Sequence, residues 1–360
     1  MTTRTNGSLN LNFEALIQKL VIRGTETARS TLPPPEPRPP TSIRLKPSTR
    51  HFIDCQAESL GASAQAVIGM ILDGVAESTL NETSAVLRTI RERFFYLFEA
   101  HHIDMPGIVS VLKEYGFRLS TLSNGDALLD LLTTDAIRYI SELFHIERGW
   151  LSGSSEYMTS VHSDVRWYKN QRYAFGRIIE YNAQGLRPHV IFIRRINADF
   201  EKARQDPHQW REEPIGIVIK LHLTTNDGIQ FETYELWEFQ HWNYWRSRYH
   251  IKHLIALCEA AMRRHTGIDY VGYELSEETI EKICGNKVLP ASVLGRSRHI
   301  WQPDDYAGEQ YFGSKETDEW EAVRRDFGEK DFEGLLKEAQ SRSRAPFDYW
   351  RTSQPLGHNS

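Results

Sequence analysis

Residues 42–46 read Ser-Ile-Arg-Leu-Lys, an alternation of polar and apolar side chains. An extended chain sends successive side chains to opposite faces, so Ser42, Arg44 and Lys46 share one face and Ile43 and Leu45 the other. A guanidinium can pair bidentately with guanine in the DNA major groove, while an ammonium suits either a base edge or a phosphate. One face is core and the other is free to read. Further on, Ala62 and Ser63 open an apolar-periodic stretch whose first backbone N–H groups have no intrahelical acceptor and can hold a phosphate.

A second polar set, Arg118, Ser120, Thr121, Ser123 and Asn124, groups short hydrogen-bonding side chains just after Gly116. Other reactive residue types are poorly grouped. His101, His102 and Asp104 lie together, and His250 and His253 lie one helical turn apart, but neither set has a convincing third ligand, so no metal is expected. Cys55, Cys258 and Cys284 are far apart, which gives neither a disulfide framework nor a zinc knuckle. The phosphate-binding, dinucleotide-binding, nucleophile-elbow and zinc-protease signatures are missing, so the sequence points away from an enzyme and requires no cofactor.

Several elements must position these residues. Residues 12–29 carry Phe13, Leu16, Ile17, Leu20 and Val21 at helical spacing, and 32–40 are dominated by proline, a semi-rigid spacer in the polyproline II form. A strand is expected over 41–46, then helices over 48–60 and 62–80. Pro47 and Ser48 suit the start of the first helix and Gly61 its end. Phe52, Ile53 and Ala57 form an apolar stripe on one helix, and Ala66, Val67, Met70, Ile71 and Val75 on the other. A lone strand with two amphipathic helices cannot bury its apolar faces unaided, so a second copy is implied.

Strand, helix, glycine and helix in this order resemble the ribbon-helix-helix family of Arc-type and MetJ-type repressors. That resemblance implies a β-ribbon built from two chains and laid in the major groove, with Ser42, Arg44 and Lys46 toward bases and Ala62 and Ser63 at phosphate. The alternative is that Arg44 and Lys46 are solvated side chains on an edge strand. Residues 86–153 are more weakly similar to the Cro and C1 helix-turn-helix family. The similarity rests on Asp104 and Pro106 opening a helix, Gly116 closing it, the polar set at 118–124, a helix over 134–144, and the ending Trp150-Leu151-Ser152-Gly153. That similarity implies that Arg118, Ser120, Thr121, Ser123 and Asn124 lie closest to DNA, within reach of base edges and phosphates, although the spacing between Gly116 and Gly125 is shorter than the family's pattern. Equally open is a core-packing helical domain with a solvated Ser/Thr loop.

The rear half changes character. Strands are expected over 173–181, 188–195, 215–223 and 229–239, with Asn226-Asp227-Gly228 as a hairpin turn and a helix over 241–265 covering one face. Trp237, Trp242, Tyr244, Trp245 and Tyr249 could line an aromatic pocket for a small ligand, although such stripes more often form core. In outline this is like PAS and GAF sensor folds.

The 360 residues carry a formal net charge of −5, but 1–52 hold eight Lys or Arg against three acids, and 303–340 hold twelve acids against five bases. A basic front suits phosphate contact and an acidic rear repels it.

The expected fold class is α+β, divided into a 1–31 arm, a 32–40 linker, a ribbon-helix-helix module at 41–80, a helix-turn-helix-like domain at 86–153, an antiparallel α/β sensor-like domain at 161–300 and an acidic, partly disordered tail at 301–360. With no secretory signal and no apolar run of membrane-spanning length, a cytoplasmic protein is expected. The expected function is a homodimeric, sequence-specific transcriptional regulator on double-stranded DNA, with a small-molecule effector or protein partner. The alternatives are a plasmid partition or relaxosome accessory protein, an antitoxin, or, more weakly, an enzyme with a catalytic rear half.

Overall fold

The computed structural model describes residues 44–80, 82–159, 165–295, 299–307, 318–319, 321, 323 and 332–337, with backbone alone for 73–80 and 82–84. The chain divides into two compact units, Met1–Thr89 and Ile90–Ser360. The expected arm, the proline spacer, Ser42, Ile43 and much of the acidic tail lie outside the described residues.

In the first unit, α1 spans Pro47–Leu60 and α2 spans Ala64–Leu80. Pro47 starts α1 where a missing N–H costs nothing. Gly61 ends it with φ 62°, a left-handed turn that lets the Ala62 N–H reach back to the Ala57 carbonyl at 2.9 Å. Ser63 then begins α2, its Oγ accepting from the Ala66 N–H at 3.1 Å. Ile53, Ala57 and Val67 are buried between the two helices, with Leu45, Ala62, Ala64 and Ile68 packed around them. Residues 44–46, the described part of the strand expected over 41–46, are not strand but have no regular secondary structure, because among the described residues no strand lies beside them to complete a ladder.

A third helix, α3 (Glu82–Ala100), carries Phe94, Leu97 and Phe98 fully into the core of the second unit. Short helices follow: α4 (Met105–Val111), α5 (Leu119–Ser123), α6 (Gly125–Leu131), α7 (Thr134–Leu143) and α8 (Arg148–Leu151). Asp104 caps α4 by accepting from the Gly107 N–H at 2.9 Å. Arg93 ties the far end of this group to α3 by donating to the carbonyls of Trp150 and Ser155, at 2.5 and 2.8 Å. Trp150 and Leu151 are core residues.

The strand expected over 173–181 is instead helix α9 (Gln171–Ala183). Ala174, Phe175, Ile178, Ile179 and Tyr181 are buried at helical spacing, and the Asn170 side chain caps the start by accepting from the Tyr173 N–H. Helical periodicity and an asparagine cap outweighed the β-propensity of the aromatic and branched residues.

The remaining elements are β1 (His189–Arg195), α10 (Phe200–Gln205), β2 (Pro214–Thr224), β3 (Gln230–His241), α11 (Trp245–Arg263), β4 (Asp269–Leu275), α12 (Glu277–Cys284), α13 (Pro290–Leu294) and β5 (Ile300–Trp301). They build a five-stranded sheet in the order β3-β2-β1-β4-β5. The sheet is mixed rather than antiparallel, because β4 lies parallel to β1, with Phe192 opposite Gly272. The long crossover through β2, β3 and α11 makes that parallel pairing feasible.

Nor is one face left to solvent. Val190 to Ile193 and Ile215 to Ile219 are unbroken buried runs, the signature of a sheet covered on both sides. Tyr181 of α9 reaches Glu235 on one face, while the neighbouring Tyr234 meets the ring of His101 on the other. The segments read in sequence as separate domains at 86–153 and 161–300 share one continuous hydrophobic core, from Phe94 to Phe332.

Candidate nucleic-acid interface and the charged sites of the sheet unit

In the first unit, Leu45 packs on the two-helix core while its neighbours Arg44 and Lys46 are exposed. The Lys46 backbone is extended, at φ −66° and ψ 149°. Ala62 is half-buried and Ser63 exposed, at the start of α2. Arg44, Lys46 and Ser63 are therefore all open to solvent on one small unit. Phe52, Leu60, Met70, Ile71 and Leu72 are each 44–61% exposed, so large apolar side chains of both helices lie uncovered.

The second polar set is differently employed. The Arg118 N–H donates to Thr121 Oγ1 at 3.0 Å, and the Thr121 hydroxyl donates to the Arg118 carbonyl at 2.7 Å. Ser123 donates to the Ser120 carbonyl, and Asn124 caps α6 by accepting from the N–H groups of Asp126 and Ala127. Thr121, Ser123 and Asn124 thus serve the ends of two short helices, and α5 has five residues where a reading helix was expected. The Arg118 and Ser120 side chains face solvent.

The histidines have found structural uses. His101 is buried, meets the Phe144 ring edge-on, and its Nδ1 hydrogen bonds the Leu97 carbonyl at 2.7 Å. Burial, only partly offset by that bond, pulls its pKa down to about 4, so the ring is neutral. His250 and His253 both engage Gln171 of α9, at 2.6 and 3.0 Å. Among the described residues, no three His, Cys, Asp or Glu side chains converge as a metal site.

The aromatic pocket does not assemble. Trp237 and Trp242 are fully buried, whereas Tyr244 and Trp245 are exposed. Trp242 stacks face to face on Phe200, 4.0 Å between ring centroids. A cleft of about 550 Å³ lies elsewhere, between α4 and the β2–β3 turn, lined by Ser110, Lys113, Tyr115, Tyr139, Thr225 and Asp227. There the Thr225 hydroxyl donates to Asp227 at 2.6 Å, and Ser110 also hydrogen bonds both.

Sequence reasoning missed a cationic group on α11. Arg248 and Lys252 are four residues apart and so share one helical face, and both are buried. Glu319 lies between them. Arg248 Nη2 approaches Glu319 Oε1 at 2.9 Å and Lys252 Nζ approaches Oε2 at 2.7 Å, while Arg204 of α10 stands 3.4 Å from Oε1 and also pairs with Asp318. Burial by itself would raise the Glu319 pKa, but the Arg248 hydrogen bonds and the Lys252 charge bring it down to about 2. An Arg and a Lys at i and i+4, next to the apolar run Leu254, Ile255, Ala256 and Leu257, were the available signal.

Comparison with family models, characterised proteins and solved structures finds no match. Among the described residues no helix is long and apolar enough to cross a membrane.

Proposed function

We propose that this protein is a sequence-specific DNA-binding transcriptional regulator acting as a homodimer, with 44–80 as half of a ribbon-helix-helix module. The supporting observation is the distribution of burial in the first unit. Three residues are fully buried between α1 and α2, Leu45 turns inward, Arg44 and Lys46 turn outward, and a row of large apolar side chains is left uncovered. So small a core does not hold an independent fold, and a second copy covers such a face most simply. Pairing the two extended segments places both copies of Arg44 and Lys46 on one ribbon face.

The polar side chains that close α5 and open α6 are largely engaged with backbone, so the base-reading role falls to the first unit. The second unit is read as the effector- or partner-sensing part.

Selection on random duplex DNA tests this reading. The parent is expected to enrich a two-fold-related motif, and Arg44→Ala to lose preference at one position in each half-site. Lys46→Ala is expected to weaken binding more evenly and to lower its salt dependence. An Arg44→Ala protein that enriches an unchanged motif rejects ribbon readout.

A further inference from the structure

The contact between α11 and Glu319 has the form of a ligand site filled by the chain itself. Arg248 is held ready by its own backbone acceptors, with Nη1 donating to the carbonyls of Trp242 and Asn243 at 2.7 and 2.8 Å. Its remaining edge, Nε and Nη2, makes a forked approach to the two Glu319 oxygens at 2.9 to 3.2 Å. A guanidinium fixed in this way matches any planar or tetrahedral oxyanion. Lys252 adds a point charge, with its Nζ 5.5 Å from the Trp242 ring centre, and Arg204 closes the third side. Asp318 and Glu319 come from a segment remote in sequence, and both carboxylates sit on these cations.

We propose that Arg204, Arg248 and Lys252 form a binding site for a small ligand ending in a phosphate or carboxylate, and that Asp318 and Glu319 occupy it when the ligand is absent. Two features favour a small ligand over a polymer. From Ile251 to Ala261 every residue of α11 is buried, and the Glu319 side chain between the cations is only 25% exposed, so the site is enclosed. A terminal oxyanion suits an enclosed site, whereas a nucleic-acid phosphate has chain on both sides. The inference goes beyond the DNA reading and stands without it. Where both hold, ligand entry displaces the Asp318 and Glu319 carboxylates and so changes the charge that the second unit presents.

The test uses the full chain carrying Asp318→Asn with Glu319→Gln. Removing both carboxylates leaves buried cations unneutralised, so the melting temperature is expected to fall, and inorganic phosphate or malonate is expected to restore it more than sodium chloride at equal ionic strength. By calorimetry the variant should bind the better of the two anions at least about ten-fold more tightly than the parent, and which anion is better names the ligand class. Adding Arg204→Gln, at a partly exposed cation, should reverse much of that gain. Equal anion affinity in parent and variant overturns the proposal, as does indifference to Arg204→Gln. A gain seen with duplex DNA but with neither small anion also overturns it. Should the double variant fail to fold, Glu319→Asp keeps the charge but shortens the reach. It is expected to bind phosphate more tightly than the parent, and unchanged affinity counts against the site.

Discussion

Arg195 Nη2 lies 2.5 Å from Glu213 Oε2, and neither side chain is more than 5% exposed. The pair joins the end of β1 to the start of β2, and it also fixes the turn leading into α11. The Glu213 N–H donates to Asn243 Oδ1 at 2.9 Å, and the Glu213 carbonyl accepts from the Trp242 N–H at 2.8 Å. Trp242 and Asn243 in turn supply the carbonyls that orient Arg248. Glu213 thus carries a buried ion pair on its side chain and holds, through its backbone, the turn that orients Arg248.

Glu213→Ala is therefore expected to be strongly destabilising. It leaves the Arg195 guanidinium buried without its main counter-charge, at a cost of about 3–5 kcal/mol. Urea unfolding followed by circular dichroism measures this, and a loss under about 1 kcal/mol would contradict the role given to the pair.

Gly216→Ala should also destabilise, for a steric reason. A Cβ at this position would fall 2.3 Å from the Phe239 ring, at the irregularity in the β2–β3 pairing between Ile215 and Ile217. Overpacking of this kind costs about 1–3 kcal/mol. Combining it with Phe239→Leu is expected to recover part of the loss, and strictly additive penalties would show that the ring is not the obstacle.

Stability should decline on acidification, with His101 among the groups that set an upper step and Glu319 among those that set a lower one. The folded-state pKa of His101 lies below its ordinary value of 6.5, at about 4, so its contribution is fully present above 6.5 and is lost as pH falls toward 4. Over that window the loss amounts to about 3 kcal/mol. Glu319 is likewise depressed from 4.5 to about 2, so its stabilisation holds above 4.5 and disappears as pH falls through 2. His101→Phe is expected to flatten the upper step and leave the lower one. Parallel pH profiles for parent and variant would be inconsistent with a neutral buried imidazole.

Association should depend on the apolar face of the first unit. The parent is expected to sediment as a dimer at micromolar concentration, and Ile71→Glu, at a side chain 44% exposed in the single chain, to shift it toward monomer. The two-helix packing around Ile53, Ala57 and Val67 does not use Ile71, so helicity should be retained. A monomeric parent, or a fully dimeric variant, argues against the ribbon.

Much of the architecture was legible in the residues. Pro47 and Gly61 bracket α1, Asp104 opens α4, Asn226-Asp227-Gly228 turns the β2–β3 hairpin, and the long apolar-rich stretch after His241 contains α11. These are local decisions, made by fixed φ, by left-handed tolerance and by side chains that reach their own backbone. At 173–181 the local signals conflicted, and burial decided for helix.

What the linear order left open was everything that depends on distant segments meeting. The parallel seating of β4 on β1, the burial of both sheet faces and the sharing of one core by the helical and sheet regions arise from contacts across long loops. The cationic site has the same origin. Its members come from α10, α11 and 318–319, and a buried charge is tolerated only where folding delivers its counter-charge. Short-range periodicity and capping specify which elements form, because their energetics act within a few residues. Which elements face each other follows from how the whole chain buries its apolar surface and neutralises the charges carried inside with it.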